Sequence, residues 1–220
     1  MSSTRVRSTA KKAPNQQTTF EPEIRIVKKS TQQIISMLGR DPDVEKVTIN
    51  KCENQITNAV VSVIFELKNL KTLSLTFNKI DDAVACEIAH NLVNSSVTKL
   101  NLDGNLIYDE GVCEIARTLE DSPLECLYLN NNRIGDAGVS EIANHLTNSC
   151  LHSLYLAGNL IKDDGARNIA NNLADSNIRS LWLANNLNTC ERVKRQLVDL
   201  WSERRNDPKQ LFVYNYSSCM

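Results

Sequence analysis

The sequence predicts an α/β fold built as one elongated array, in which short parallel strands alternate with helices. Two observations predict it. Asn78, Asn105, Asn132, Asn159 and Asn186 recur 27 residues apart, each at the end of the same short apolar phrase. Within each period the apolar spacing changes from alternation, as in a strand, to i, i+1, i+4, as on one side of a helix. A parallel strand needs a long crossover, usually helical, to return to its own sheet, and 27 residues leave room for one. In such an array each unit packs only on its neighbours.

Residues 1–22 open the chain as a basic tail. Positions 1–20 hold Arg5, Arg7, Lys11 and Lys12 and no acid. Two readings fit this composition: a disordered segment with too little apolar surface to fold, or an Arg- and Ser-rich targeting presequence. Residues 23–43 are expected to form an N-terminal helical cap, with a helical pattern from Ile24 to Leu38. Ser30 and Gln33 have capping-box spacing, Ile34, Ile35, Met37 and Leu38 give an apolar side, and Gly39 stops the helix. Asp41-Pro42-Asp43 then breaks the chain.

Residues 44–188 carry the repeats. The first is irregular, Val44-x-x-Val47-x-Ile49-x-x-Cys52, with Cys52 in the asparagine position and an apolar helix from Ala59 to Leu67. Four regular units of 27 residues follow, opening at Leu70, Val97, Leu124 and Leu151. Four residues after each asparagine stands an aspartate (Asp82, Asp109, Asp136, Asp163), expected to be the helix N-cap. Two further on come Val84, Gly111, Gly138 and Gly165. The helices bury Ile88, Ala89 and Leu92 and their equivalents, alanine recurring where helix and strand pack closely. A terminal strand runs from Ile178 to Leu183. Residues 189–220 are expected to be a C-terminal cap, with Val193, Leu197, Leu200 and Trp201 on one helical face and an edge strand at Leu211–Tyr214.

The phrase Leu70-x-x-Leu73-x-Leu75-x-x-Asn78-x-Ile80 and its copies match the leucine-rich repeat consensus. The 27-residue period, with Asp-x-Gly followed by Ile-Ala-x-x-Leu in its second half, resembles the ribonuclease-inhibitor-like subfamily. That resemblance implies a leucine-rich repeat solenoid, a short curved horseshoe with parallel strands on the concave face and helices on the convex face. The stretch Asp41-Pro42-Asp43-Val44-Glu45-Lys46-Val47-Thr48-Ile49-Asn50 resembles the segment opening the leucine-rich repeat domain of tropomodulins, which cap actin pointed ends. The asparagines are expected to form a structural ladder, since each amide carries a donor and an acceptor for the backbone of the adjacent turn.

Composition narrows the function. Residues 78–177 hold fifteen acids and six bases, a net charge of −9, which suits nucleic acid badly because phosphate contacts need cations. Seven cysteines, none in a C-x-x-C pair, suit a reducing compartment. No apolar run is long enough to span a membrane and no secretory leader is visible. A cytoplasmic location and a monomer are expected. The motifs of phosphate-binding loops, dinucleotide folds, α/β-hydrolases and zinc proteases are missing. His90, His145 and His152 are not placed to converge on a metal. No catalytic residue, metal, cofactor or small-molecule substrate is therefore expected, and the chain reads as a non-enzyme.

The positions that the repeat leaves free are the candidates for function. Strand residues turned away from the core form columns. One reads Thr48, Ser74, Asn101, Tyr128, Tyr155, Trp182. The next reads Asn50, Thr76, Asp103, Asn130, Ala157, Ala184, and the flanking one Lys46, Thr72, Lys99, Cys126, Ser153, Ser180. Tyr128, Tyr155 and Trp182 make an aromatic ladder of the kind that anchors protein interfaces, although aromatics also favour strands for their own stacking. With Asn101, Asp103 and Asn130 they form the expected site for a protein partner. The expected function is an intracellular adaptor, regulator or pathogen effector. The alternative is tropomodulin-like binding to actin and the cytoskeleton.

Overall fold

The computed structural model describes residues 22–39, 43–52 and 56–186. The basic tail to residue 21, the Asp41-Pro42 break and the C-terminal cap at 189–220 lie outside the described residues. The order is β1 (Glu23–Val27), α1 (Thr31–Leu38), β2 (Lys46–Asn50), α2 (Asn58–Phe65), β3 (Thr72–Ser74), α3 (Asp82–Leu92), β4 (Lys99–Asn101), α4 (Asp109–Arg117), β5 (Cys126–Tyr128), α5 (Asp136–His145), β6 (Ser153–Tyr155), α6 (Asp163–Leu173) and β7 (Ser180–Trp182). All strands are parallel and lie in one sheet in sequence order.

The expected helix from Ile24 is corrected: β1 occupies its first half. Ile24 and Ile26 alternate with Glu23 and Arg25, and they sit opposite Val47 and Ile49 of β2. Edge pairing with β2 wins over the helical reading, because it gives the backbone partners and buries Ile26. Helix formation waits until Ser30, whose N–H donates to Gln33 Oε1 at 3.1 Å. Ile34 and Leu38 of α1 then seal the core.

One continuous core runs between sheet and helices. Leu73, Leu75, Leu100, Leu102, Leu127, Leu129, Leu154 and Leu156 are fully buried from the strand side. Ile88, Ala89 and Leu92, with their equivalents, meet them from the helix side. The small alanines hold helix and sheet close, and the alternating strand residues stay half-exposed on the other face.

Three sets of side chains tie unit to unit. In the first, each asparagine turns both its amide donor and its carbonyl acceptor onto the preceding unit. Asn132 Nδ2 donates to Leu102 O at 3.0 Å and Leu129 O at 3.1 Å, while its Oδ1 accepts from Ile107 N at 3.2 Å. Asn78, Asn105, Asn159 and Asn186 repeat the pattern. Cys52 imitates it weakly: its Sγ accepts from Lys29 N at 3.3 Å and donates to Asn50 O at 3.6 Å.

The second set corrects an expectation. Asp82, Asp109, Asp136 and Asp163 are not N-caps but the first residues of α3, α4, α5 and α6. The cap of α3 is Asp81, which accepts from Val84 N at 3.2 Å. One residue further on, an aspartate faces the loop of the following unit. Asp82 Oδ1 accepts from Tyr108 N at 2.7 Å, Asp109 Oδ1 from Gly135 N at 2.6 Å, and Asp136 Oδ1 from Lys162 N at 2.7 Å. Those N–H groups belong to the next helix's cap residue and find no partner within their own helix.

The third set lies at the strand ends. Asp103 Oδ1 accepts from Asn130 N at 2.7 Å, and Asn130 Oδ1 from Ala157 N at 2.8 Å.

At the far end of each helix Ser95, Ser149 and Ser176 donate to the carbonyl three residues earlier. Ser122 is buried without such a partner. Its helix already ends at Arg117, where the Thr118 hydroxyl takes Ile115 O.

Candidate functional site

The strand registers put the outward residues into the predicted columns. Thr48 pairs with Ser74, Ser74 with Asn101, Asn101 with Tyr128, Tyr128 with Tyr155, and Tyr155 with Trp182. Arg25 of β1 extends this column by one residue. Because β5, β6 and β7 hold the aromatics at identical registers, the rings must meet. Tyr128 and Tyr155 stack with centroids 4.4 Å apart and planes 9° apart. Tyr155 and Trp182 lie 5.7 Å and 29° apart.

The stack is half-exposed and outside the core. Small side chains flank it in the last two units: Ser153 and Ser180 on one side, Ala157 and Ala184 on the other. Three rings therefore stand above low ground. Burial pushes the Tyr128 phenol up, and neighbouring Tyr155 adds to it, so the hydroxyl remains a neutral donor at physiological pH.

Asn101, Asp103 and Asn130 sit beside the ladder, as expected, but their oxygens are already engaged. Asn101 Oδ1 accepts from Asp103 N at 2.9 Å, and Asp103 and Asn130 brace the next unit as described above. Sequence reading missed this bracing, since a polar residue on an open face looks free until its neighbour's N–H is placed. Periodicity held the clue, because donor and acceptor are one 27-residue period apart.

Asp103 is also pH-sensitive. Burial pushes its carboxyl up from the ordinary 3.8, against the pull of the Asn130 backbone N–H and the Asn130 and Asn101 amides. Just above that value the native state holds the proton more tightly than the unfolded chain, so this group's contribution falls as pH rises through the window. Asp103→Asn keeps an acceptor for Asn130 N. It is expected to raise the urea midpoint at pH 7 and to flatten the pH–stability curve between pH 4 and 7. A lower midpoint at pH 7 would count against it.

Among the described residues no group of three or more metal-ligating side chains converges, and no helix is long and apolar enough to cross a membrane. His145 Nδ1 lies 2.9 Å from Glu120, His152 Nδ1 lies 3.0 Å from Ser153 Oγ, and His90 is exposed near the end of α3. Cys52, Cys86, Cys113, Cys126 and Cys150 are free thiols. Burial first pushes those of Cys86, Cys113 and Cys126 up, which makes them poor nucleophiles.

Comparison with known proteins agrees with this architecture. A family model described as "Leucine Rich repeat" matches residues 66–83, 93–116, 121–143 and 147–170. No curated protein matches the sequence. Among solved structures, the tropomodulin C-terminal domain of Caenorhabditis elegans is similar, with a TM-score of 0.50 and 11% identity over 81% of this chain and 95% of that one. The leiomodin-1 actin-binding site 2 structure gives a TM-score of 0.46 and 20% identity over 79% of this chain and 88% of that one. At such identities the likeness to the tropomodulin domain is one of fold.

Proposed function

Given that the chain is a leucine-rich repeat protein, we propose that it is a non-catalytic recognition module holding a protein partner on the open face of its sheet, as an adaptor or regulator. Repeats of this type generally serve protein interaction. The observation that carries the finer reading is the stacked ladder of Tyr128, Tyr155 and Trp182. Half-exposed aromatic rings are costly to leave in water and make strong anchors when a partner covers them. Stacking fixes their rotamers in advance, so a partner meets a pre-organised surface and loses less entropy on binding. The serines and alanines beside them leave room for the partner's side chains.

The triple variant Tyr128→Ala, Tyr155→Ala, Trp182→Ala tests this. It removes no core residue, so it should keep its circular dichroism spectrum. Partner affinity should fall at least about tenfold, since central aromatic anchors typically contribute 2 kcal/mol or more each. Unchanged affinity of a folded triple variant for a partner captured by the wild type would remove the ladder from the interface.

A second reading has one specific support: the segment 41–50 resembles the opening of the tropomodulin repeat domain, and a solved tropomodulin domain shares this fold. Actin pointed-end binding is that reading. No slowing of pointed-end elongation at micromolar protein would exclude it.

A further inference from the structure

The sheet begins on an edge that pairs with nothing among the described residues. β1 has β2 on one side and no described strand on the other. Pro22 O accepts from Glu45 N at 3.1 Å and from Lys46 N at 3.2 Å, so the backbone groups of the even residues face β2. Along a strand these groups alternate in direction, and those of Glu23, Arg25 and Val27 point away from β2. Pro22, which lacks an N–H, falls on the paired side and leaves the outer edge intact. Such an edge is a template for a further strand.

The side chains at this end suit an interface. Ile24 of β1 and Ile35 and Met37 of α1 pack on the core but stay partly exposed, and Val27 is 44% exposed. An end unit that stands alone in water needs a polar outer surface. Arg25 is exposed, and no described carboxylate bonds to it. Glu23 Oε1 accepts from Lys46 Nζ at 3.4 Å and from the Thr48 hydroxyl at 3.1 Å, and a carboxylate has a second oxygen for another donor.

Charge selects one register for a second copy. Laid antiparallel with Ile24 opposite Ile24 of the copy, the two edges set Glu23 against Arg25 of the copy, and Arg25 against Glu23 of the copy. Residues opposed in this way exchange both backbone bonds and hold their Cα atoms about 5.5 Å apart, within reach of an ion pair. Sliding the copy by two residues either way opposes Arg25 to Arg25 or Glu23 to Glu23, and like charges directly opposed destabilise.

We infer that a second copy of this chain adds to β1 across a two-fold axis at Ile24, joining two seven-stranded sheets into one. This replaces the monomer expected from the sequence. The contact is isologous and closes at two copies. Its axis stands perpendicular to the sheet, so the helices of both copies lie on one side and Ile24 meets Ile24 beneath the seam. Both aromatic ladders stay on the open side, far from the axis, and the dimer does not depend on what they bind.

Sedimentation equilibrium of the full chain, from about 1 to 100 µM, tests this by mass action. The wild type should approach twice the chain mass, less readily as salt rises. Arg25→Glu should weaken self-association at least about tenfold, because the two-fold opposes glutamates at both pairs. Glu23→Arg should do the same by opposing arginines. Both variants should keep the wild-type circular dichroism spectrum. Mixed in equal amounts they should dimerise again, since each then supplies the charges that the other lacks. One chain carrying both changes should dimerise as the wild type does. A role of Glu23 confined to Lys46 and Thr48 of its own chain gives no such rescue. The aromatic-ladder triple variant should dimerise normally, which tells failure here from failure of the ladder. A monomer at the highest concentration, a dimer indifferent to either single change, or a mixture that stays monomeric would overturn the inference.

Discussion

Asn132→Ala is expected to lower the unfolding free energy by about 1–3 kcal/mol, because it leaves a buried backbone N–H without its acceptor and takes one of two donors from each of two buried carbonyls. Ile107 N loses its acceptor, while Leu102 O and Leu129 O each lose one donor and keep Asn105 Nδ2 at 2.8 Å and Asn159 Nδ2 at 2.9 Å. The site is buried, and an unpartnered buried polar group costs about 1–3 kcal/mol. Water entering the space recovers part of that. The position also matters, because in a linear array each unit is held only by its neighbours. Weakening the middle should uncouple the two ends and broaden the urea transition or split it. Asn186→Ala should cost less, since Asn186 is only half-buried and solvent can replace it. Urea melts followed by circular dichroism measure both. A loss at Asn132 no greater than at Asn186 would refute the account of the ladder.

Gly138→Ala is expected to cost about 2–4 kcal/mol, although alanine is ordinarily the better helix former by about 0.5–1 kcal/mol. A Cβ at Gly138 would lie 2.5 Å from Val112 Cγ1, 2.7 Å from Asp109 Oδ1 and 3.1 Å from Asp109 Cα. The last is backbone and cannot swing aside. If the carboxylate moves instead, it gives up Gly135 N at 2.6 Å. Gly111 and Gly165 meet Asp82 and Asp136 in the same way. Val84 marks the exception and explains the rule. It occupies the equivalent place in α3, but α2 before it begins at Asn58 and brings no aspartate there. Glycine is therefore required only where the preceding helix opens with aspartate. Thermal melts of Gly138→Ala, and of Gly138→Ala combined with Asp109→Ala, test this. The second change should soften the first. Strictly additive losses would contradict the contact.

Much of the fold could be read from the chain because its determinants recur. The asparagines, the buried leucines and the helix alanines state the same local requirement at constant intervals, and the aromatic stack follows from the interval alone. Residues that act once are harder to see. The strand Glu23–Val27 was hidden because Lys29 and Lys28 stand where later units have asparagine and its neighbour, so no template marked it. The aspartates were legible as helix-start residues but not as braces. Their partner is the backbone of the next unit, 26 residues away, and backbone donors carry no sequence signature. Asp103 and Asn130 failed for the same reason.

The inter-unit bonds of the asparagine, aspartate and strand-end ladders join consecutive units, never a unit to its second neighbour, among those described above. A genome could therefore duplicate or delete one 27-residue block by unequal recombination, and both halves would still find matching surfaces at the seam. Chain length in such a protein evolves in whole modules rather than residue by residue. The aromatic stack would grow or shrink with it: a copied block from Glu125 to Leu151 would insert another tyrosine into the row. Reach along a partner thus becomes heritable as a copy number, adjustable without a single substitution.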